Sequence, residues 1–416
     1  MATSSRSTVH SGYWLMANTV LTGLIGVLFW AVAARLMSQT ALGAGATVIS
    51  LITLLSNIGQ VNLSYSLPVL LPMAGRRRRQ LLRRGLLLAI GVTLMVCVGY
   101  FLLFASNLPL QLTAPLIGFL IFCALLWTIF VVEDGALIGL RMAWLVPVSN
   151  AVFGLAKLGV LLLLFEGLRV PERIDPSVLM VTAWFVPLLA IIPVVVAAAL
   201  RQASRQEGVD LERLPDLREF LAWDYVGGVA YQLALSMSFF VGVTVGPEAA
   251  AAFVAAWTVA QVADLATNNL TAPMGVAVAE SHDAGKTEAE VEIAQRLIVL
   301  VPFGVAAAIV LAPYLILIFG PDYVTEAVPI LRMLMVALLF KAAATYSMWG
   351  LRGRGRAREV AAIQVLLAVT TVGAGFLLTE QLQAQAYAVG FLLGSAAAGM
   401  LGVLMLRRAW LSADTT

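Results

Sequence analysis

Residues 76–106 read RRRRQLLRRGLLLAIGVTLMVCVGYFLLFAS, and this stretch decides the class of fold. Its last 22 residues, 85–106, contain no Asp, Glu, Lys or Arg. At a helical rise of about 1.5 Å per residue, they are long enough to cross a hydrocarbon core of about 30 Å. The stretch therefore predicts a transmembrane helix that begins beside a cluster of arginines.

The composition of the whole chain agrees with this prediction. The sequence has 416 residues, of which 61% are hydrophobic and 12% are charged. A soluble domain carries about 25% charged residues, so this chain cannot cover a water-exposed surface of its size. The composition excludes a water-soluble enzyme and predicts an all-α polytopic membrane protein.

Twelve apolar segments predict twelve spans. In the first half they lie at about 13–35, 42–71, 85–106, 113–139, 144–166 and 177–200, and in the second half at about 219–244, 249–279, 295–319, 326–350, 358–379 and 384–406. The first segment is interpreted as an uncleaved membrane helix. The polar segment 201–218 separates the halves. We therefore expect an N-terminal six-helix lobe (1–200), a cytoplasmic linker (201–218) and a C-terminal six-helix lobe (219–416).

The basic residues predict the orientation of the chain. Of the 26 Lys and Arg residues, 20 fall in segments on the same side as the N-terminus, and three fall on the other side. Short loops rich in Lys and Arg stay in the cytoplasm, so both termini are expected there. The excess of Arg over Lys suggests a bacterial protein, and hence a bacterial cytoplasmic membrane. Arg76–Arg79 is interpreted as an anchor to lipid headgroups, and no nucleic-acid partner is expected.

Two polar stripes suggest an internal repeat. The first is Thr53, Asn57, Gln60 and Ser64, and the second is Trp257, Gln261, Asp264 and Asn268. Both have spacings of 4, 3 and 4 residues, which place each set on one face of a regular helix. We expect Asn57, Gln60 and Asn268 to line a substrate cavity.

Six charged residues fall well within the predicted spans: Glu133, Asp134, Lys157, Asp264, Arg332 and Lys341. Such a charge costs at least about 2.5–3.5 kcal/mol, so it faces a cavity or a partner. Two interpretations stay open for this set. The residues bind substrate and coupling ions, or they form salt bridges between helices, for which Lys157 with Glu133 or Asp134 is the best candidate.

Asp264 is the sharpest single prediction because it lies near the middle of its span, where transporters hold substrates and ions. Its carboxylate would bind a proton or Na⁺. Arg332 and Lys341 are nine residues apart, so a regular helix directs them to opposite faces. Lys341 is the better cavity residue because Arg332 can extend to the membrane surface.

Residues that carry catalysis are scarce. The sequence has two histidines and two cysteines without ligand spacing, and it has no GxxxxGK[ST] phosphate loop. We therefore predict no catalytic residue, no metal site and no cofactor. The protein is not expected to be an enzyme, and an ion gradient or a downhill substrate would drive any transport.

Two stretches resemble a known family. Residues 311–359 read LAPYLILIFGPDYVTEAVPILRMLMVALLFKAAATYSMWGLRGRGRARE, and residues 34–72 read ARLMSQTALGAGATVISLITLLSNIGQVNLSYSLPVLLP. They are similar to segments of the multidrug/oligosaccharidyl-lipid/polysaccharide exporter superfamily, in its O-antigen-type polysaccharide flippase branch. The shared pattern is Phe319, Gly320 and Tyr323, then Ala327 and Leu331, and a glycine- and arginine-rich turn.

The resemblance implies two six-helix lobes around a central cavity that opens alternately to each side. It also implies that Lys157, Lys341 and Arg332 bind the diphosphate or acidic sugars of a lipid-linked oligosaccharide. In the same way it implies that Asp264, or the pair of Glu133 and Asp134, is the ion-coupling group. The expected function is to flip a polyprenyl-diphosphate glycan to the outer leaflet, with H⁺ or Na⁺, membrane lipids and glycan-synthesis machinery as partners. The alternatives are a cation-coupled multidrug exporter, which an aromatic and acidic cavity would favour, a membrane glycan polymerase or ligase, and a non-transporting scaffold.

Overall fold

The computed structural model describes residues 23–167, 174–205, 218–281 and 286–413. Within these ranges every regular element is a helix, so the predicted all-α class is confirmed. Residues 13–22 of the first predicted span and residues 206–217 of the predicted linker lie outside the described ranges.

The chain divides between Leu221 and Ala222 into two compact units. The described helices of the first unit are α1 (Gly23–Leu36), α2 (Gln39–Gly59), α3 (Leu63–Met73), α4 (Arg78–Phe104), α5 (Ala114–Gly139), α6 (Leu145–Leu162), α7 (Pro176–Phe185) and α8 (Leu188–Arg205). Those of the second unit, with α9 beginning at the boundary, are α9 (Arg218–Leu235), α10 (Met237–Thr244), α11 (Pro247–Ser281), α12 (Glu288–Leu317), α13 (Val324–Gly353), α14 (Ala357–Leu382) and α15 (Gln385–Ala413).

These helices lie at the twelve predicted positions. Among the described residues, ten helical segments are long and apolar enough to cross a membrane. The pair α9 and α10, bent by 52° at Ser236, adds an eleventh if it is one span. The remaining position is that of α1, which is shorter over its described residues.

The second predicted span is not one helix, which corrects the prediction of a continuous segment at 42–71. Helix α2 ends at Gly59, and the chain then passes through Val61 (φ 51°) and Asn62 (φ 57°) before α3 begins. Asn adopts this left-handed conformation more readily than other non-glycine residues, whereas a β-branched Val rarely does. The left-handed conformation of Val61 and Asn62 interrupts the regular 3.6-residue turn of the helix. The stripe from Thr53 to Ser64 therefore does not follow one helical face.

Several helices begin where the sequence provides a cap. The side chain of Ser38 accepts a hydrogen bond from the backbone amide of Ala41 at the start of α2. That of Asp175 accepts one from the backbone amide of Ser177 at the start of α7. Helix α12 begins with a capping box in which Thr287 and Glu290 bond to each other's backbone amides. These bonds satisfy amide groups that have no partner within the helix, which the membrane interior requires.

Arg78 has a different role from the arginines around it. Arg76, Arg77 and Arg79 are exposed, as expected for a headgroup anchor, but Arg78 is buried. Its guanidinium donates to the carbonyl oxygens of Leu71 (2.8 Å) and Pro72 (2.9 Å) near the end of α3. Arg78 therefore caps α3 by donating to carbonyls of its last turn, of which that of Leu71 also accepts a hydrogen bond from the amide of Ala74 at 3.2 Å.

Helix α13 is central to the second unit because it packs against α11, α12, α14 and α15. Its end is fixed by the fully buried Glu290 of α12. That carboxylate accepts two bonds from Arg354, at 2.7 and 2.9 Å, and a third from the indole of Trp410 on α15, at 3.2 Å. This cluster ties the ends of α12, α13 and α15 together.

Two glycines bring α5 against the backbone of α3. A Cβ atom at Gly135 would overlap the carbonyl oxygen of Ser64, and one at Gly139 would lie 2.6 Å from that of Leu67. The Gly135–Gly139 spacing therefore marks close helix packing, as the small-residue pattern indicates.

Gly135→Ala is expected to destabilise the first unit by about 1–3 kcal/mol, because the added methyl group forces the two backbones apart. The measurement is the thermal unfolding midpoint of purified protein in detergent. Gly118→Ala on the same helix is the matched control, since no atom lies within 4 Å of its Cβ position. Equal midpoints for the two variants would contradict this packing.

Candidate functional site

The first unit contains a cavity of about 270 Å³ beside α6. Its lining residues are Ile25, Trp127, Phe130, Asn150, Phe153, Gly154 and Lys157. Asn150, Phe153 and Lys157 are spaced by three and four residues, so the 3.6-residue repeat of α6 directs all three to one side. The lining thus combines aromatic faces with one amide and one ammonium group.

Lys157 lies in a cage of aromatic rings. Its Nζ atom lies 3.6 Å from the ring centre of Trp184, 5.0 Å from that of Phe29 and 5.1 Å from that of Phe153. The predicted salt bridge to Glu133 or Asp134 does not occur among the described residues, where the ring faces attract the ammonium instead. The prediction failed because it considered only charged partners. The rings are uncharged and come from α1, from α7 and from α6 itself.

Two carboxylates lie near this cavity on α5. The Oδ2 atom of Asp134 accepts a hydrogen bond of 3.3 Å from Asn150, which lines the cavity. Within the described residues, the other oxygen of Asp134 and both oxygens of the buried Glu133 have no hydrogen-bond partner. A buried carboxylate without donors is stable only when it is protonated or binds a ligand. The structure therefore keeps both as candidates for binding a cation.

Asn57 and Gln60 lie at the end of α2 rather than in the middle of a continuous helix. The Gln60 side chain donates to Asn57 (2.9 Å) and accepts the amide of Ser64 (3.3 Å). These bonds support the break between α2 and α3. The contribution of either residue to substrate binding stays a prediction.

In the second unit, Asp264 and Lys341 form a buried ion pair. The Nζ atom of Lys341 donates to both carboxylate oxygens of Asp264, at 2.6 and 2.7 Å, and to the hydroxyl of Tyr231, at 3.0 Å. The side chain of Lys341 is 2% exposed, whereas that of Asp264 is 24% exposed. The carboxylate therefore forms the accessible side of the pair, and the ammonium lies behind it.

Separate roles were predicted for Asp264 and Lys341 from the sequence, and the structure brings the two residues together. Helix α11 supplies Asp264, α13 supplies Lys341 and α9 supplies Tyr231. Three donors of one ammonium thus reach three acceptors, which is the full capacity of a lysine. Charge-assisted bonds of this length are stronger than neutral ones, and burial strengthens the attraction further.

Asn268 belongs to a second set of contacts one turn along α11 from Asp264. Its side-chain oxygen accepts a 3.0 Å bond from the indole of Trp349, and the guanidinium of Arg352 lies 5.6 Å from the same ring. Arg352 also pairs with Asp224 on α9 at 3.4 Å. The helices α9, α11 and α13 that hold the ion pair are therefore joined again nearer the end of α13.

Arg332 is not part of this cluster. Its side chain is exposed and donates to the carbonyl oxygen of Ile309 on α12 at 3.3 Å. The nine-residue separation from Lys341 places the two on opposite faces of α13, as the sequence predicts.

The aromatic residues around Lys157 and the partner of Lys341, Tyr231, were not predicted from the sequence. They carry no charge, so a search for costly intramembrane charges does not find them. One signal was available, because Phe153 is four residues before Lys157 and therefore shares its helical face. Trp184 and Tyr231 had no such signal, since each meets its lysine only through tertiary packing.

A double-mutant cycle is expected to show that the two charges stabilise each other. Asp264→Leu leaves a fully buried ammonium and should cost about 3–5 kcal/mol, whereas Lys341→Met leaves a partly exposed carboxylate and should cost less. The variant with both changes should unfold near the wild-type temperature, because an apolar pair of similar volume replaces the ion pair. Thermal midpoints in detergent test this, and losses that simply add would refute the coupling.

Comparisons with known proteins bear on the fold. No family model matches this sequence, and no curated protein matches it significantly. A crystal structure of MATE in complex with MaL6 aligns with a TM-score of 0.68 at 14% identity, covering 98% of each chain. An inward-facing multidrug resistance MATE family transporter of the MOP superfamily aligns with a TM-score of 0.66 at 16% identity, covering 96% of each chain.

A third solved structure is a MOP superfamily transporter from Pyrococcus furiosus, described as having a binding pocket of reverse polarity that suggests a different function. It aligns with a TM-score of 0.63 at 15% identity, covering 98% of this chain and 95% of that chain. These similarities, together with the helices described above, show that the chain has the fold of MATE transporters of the MOP superfamily, which places twelve transmembrane helices in two lobes.

Proposed function

We propose that this protein is a cation-coupled membrane transporter, not an enzyme, which exports small amphipathic molecules by alternating access. The observation that carries the proposal is the buried pair of Asp264 and Lys341 within helices long enough to span a membrane. A charged pair at this depth is expensive to maintain and is typical of ion pathways in transporters.

Asp264 has the properties of a coupling group. Its carboxylate is partly exposed, so a proton or Na⁺ can reach it, while its partner ammonium cannot leave the protein. Binding of either ion weakens the attraction to Lys341 and changes the contact between α11 and α13. A transporter needs such a local change to favour one of its two conformations over the other.

The cavity of the first unit supports a small substrate. Its volume of about 270 Å³ lies near the lower limit of small-molecule sites, which are about 300–1,000 Å³. Aromatic faces from Trp127, Phe130 and Phe153 suit a flat apolar ligand, and the amide of Asn150 in the lining donates to the carboxylate of Asp134, which does not itself line the cavity. The aromatic lining favours the multidrug-type exporter over the glycan flippase, although its one charged group is the ammonium of Lys157, and the fold comparison favours the exporter as well.

A second candidate is the flipping of a lipid-linked oligosaccharide for cell-surface polysaccharide biosynthesis in the bacterial cytoplasmic membrane. Lys157 supports it, because a cavity with an ammonium among aromatic rings suits a glycan carried on a diphosphate. The resemblance of residues 311–359 to polysaccharide flippases supports it as well. In this case glycan-synthesis machinery would be the partner that supplies the substrate.

Asp264→Asn is expected to abolish ion-driven transport while the protein still inserts and folds, because the amide cannot exchange a proton or bind Na⁺ as a carboxylate does. The assay is dye accumulation in proteoliposomes under an imposed pH or Na⁺ gradient. Asp322→Asn, an exposed position in the same unit, is the matched control and should retain full activity. Gradient-driven transport at the wild-type rate in Asp264→Asn would remove this residue from the coupling role.

The two candidate functions differ in what the cavity of the first unit accepts. We expect gradient-dependent movement of ethidium or fluorescein, used as cationic and anionic dyes, and at least a tenfold loss in Trp127→Leu because a stacking face is removed. Trp144→Leu is the control, since Trp144 is 65% exposed and does not line the cavity. Leaflet exchange of a labelled polyprenyl-diphosphate sugar, without transport of either dye, would instead establish the flippase.

A further inference from the structure

We propose that protonation of Asp264 uncovers an anion-binding site on Lys341, so that a proton and an oxyanion that is separate from the exported molecule bind together. This inference rests on the proposed function, because it assigns a ligand class to the same ion pair. The ligand group is a carboxylate or a phosphate-like oxyanion.

The geometry shows that Asp264 occupies the position of such a ligand. Its two oxygens accept two of the three ammonium protons of Lys341, at 2.6 and 2.7 Å. The side chain of Asp264 is 24% exposed and that of Lys341 is 2% exposed, so the carboxylate lies between the accessible surface and the ammonium. A ligand that approaches Lys341 from this side would therefore replace Asp264 in the same pair of hydrogen bonds.

Protonation of Asp264 decides whether its own carboxylate or the oxyanion of the ligand pairs with the ammonium of Lys341. A protonated Asp264 has lost its charge, and Lys341 is then a buried cation with only a hydroxyl beside it, which is unfavourable. An incoming oxyanion removes this penalty by pairing with Lys341. Each event makes the other more favourable, and the effect is reciprocal by thermodynamic linkage.

The surroundings of the pair hold few other charges that would interfere. Among the described residues, Lys341 is the only charged side chain that contacts Asp264, and α10 has no ionisable residue. On α9 the neighbouring groups are Tyr231 and, two turns away, Asp224, which pairs with Arg352 of α13. The ionisable side chains of α12, which packs against α11, lie near its two ends: Glu288, Glu290, Glu292, Arg296 and Tyr314.

The third hydrogen bond that Lys341 donates holds its ammonium in place while a ligand oxyanion replaces the carboxylate of Asp264. Tyr231 accepts it at 3.0 Å, and the Nζ atom lies 5.3 Å from the ring centre of the same residue. The ammonium therefore keeps its position when Asp264 is protonated. Tyr231 acts here as a positioning residue, and Tyr231→Phe should weaken anion binding without changing the number of protons taken up.

The test uses the full chain in detergent with benzoate and benzenesulfonate as probes, which remain anionic under the conditions used. Isothermal titration calorimetry at about pH 5.5 and about pH 7.5, in two buffers of different ionisation enthalpy, gives both affinity and proton uptake. The wild type should bind at least tenfold more tightly at the lower pH and take up about one proton per anion. The two probes separate a preference for carboxylates from one for tetrahedral oxyanions.

The variants give opposite and specific results. Asp264→Asn should bind the anion equally well at both pH values with no proton uptake, because the neutral amide imitates the protonated acid. Lys341→Met should not bind, whereas Lys286→Met, an exposed lysine of the same unit, should behave as the wild type.

Three results would overturn the proposal: wild-type binding without proton uptake, weaker binding in Asp264→Asn, or binding that persists in Lys341→Met. The wild-type proton uptake tests the proposal even if a variant does not fold. If anion binding fails while Asp264→Asn still abolishes gradient-driven transport, the coupling role stands and only the co-binding of an anion is wrong.

Discussion

An ammonium group in the interior of a membrane protein must have partners, because neither lipid nor a packed core can solvate it. In the second unit this requirement is met by one carboxylate and one hydroxyl around Lys341. It determines how α9, α11 and α13 are arranged, since each must bring one side chain to the same point. Helix α13 can hold this position because Glu290 and Arg354 fix its end and α15 packs along it.

The first unit meets the same requirement in a different way. Lys157 lies 3.6 Å from the centre of a Trp ring, although two carboxylates occur on the adjacent helix α5. Aromatic faces attract a cation without neutralising it, so the charge remains available to a ligand in the cavity. In the second unit the charge of Lys341 is already neutralised by Asp264. The two lysines therefore differ in their surroundings: Lys157 lies among ring faces beside a cavity, and Lys341 is paired with a carboxylate.

The sequence predicted the fold well because its main determinant is local. Uncharged windows such as 85–106 mark helices regardless of what they pack against. The capping box at Thr287, which begins α12 before the predicted start at about 295, was not predicted. The prediction failed at Val61 and Asn62, where backbone conformation depends on tertiary packing. For the site, the charged residues were identified but not their pairing, because Asp264 and Lys341 are 77 residues apart and their contact is set by helix packing.

The small number of buried charges also limits the chemistry that the proposed transport could use. A strongly anionic glycan diphosphate needs several cations, but Lys341 is neutralised and Arg332 is exposed on another face. Lys157 is then the one intramembrane lysine whose charge faces a cavity in the described residues. Protonation of Asp264 would add a second cation only when a proton is bound. The available positive charge would thus depend on the ion gradient, which links anion binding to the driving force without requiring a permanently cationic cavity.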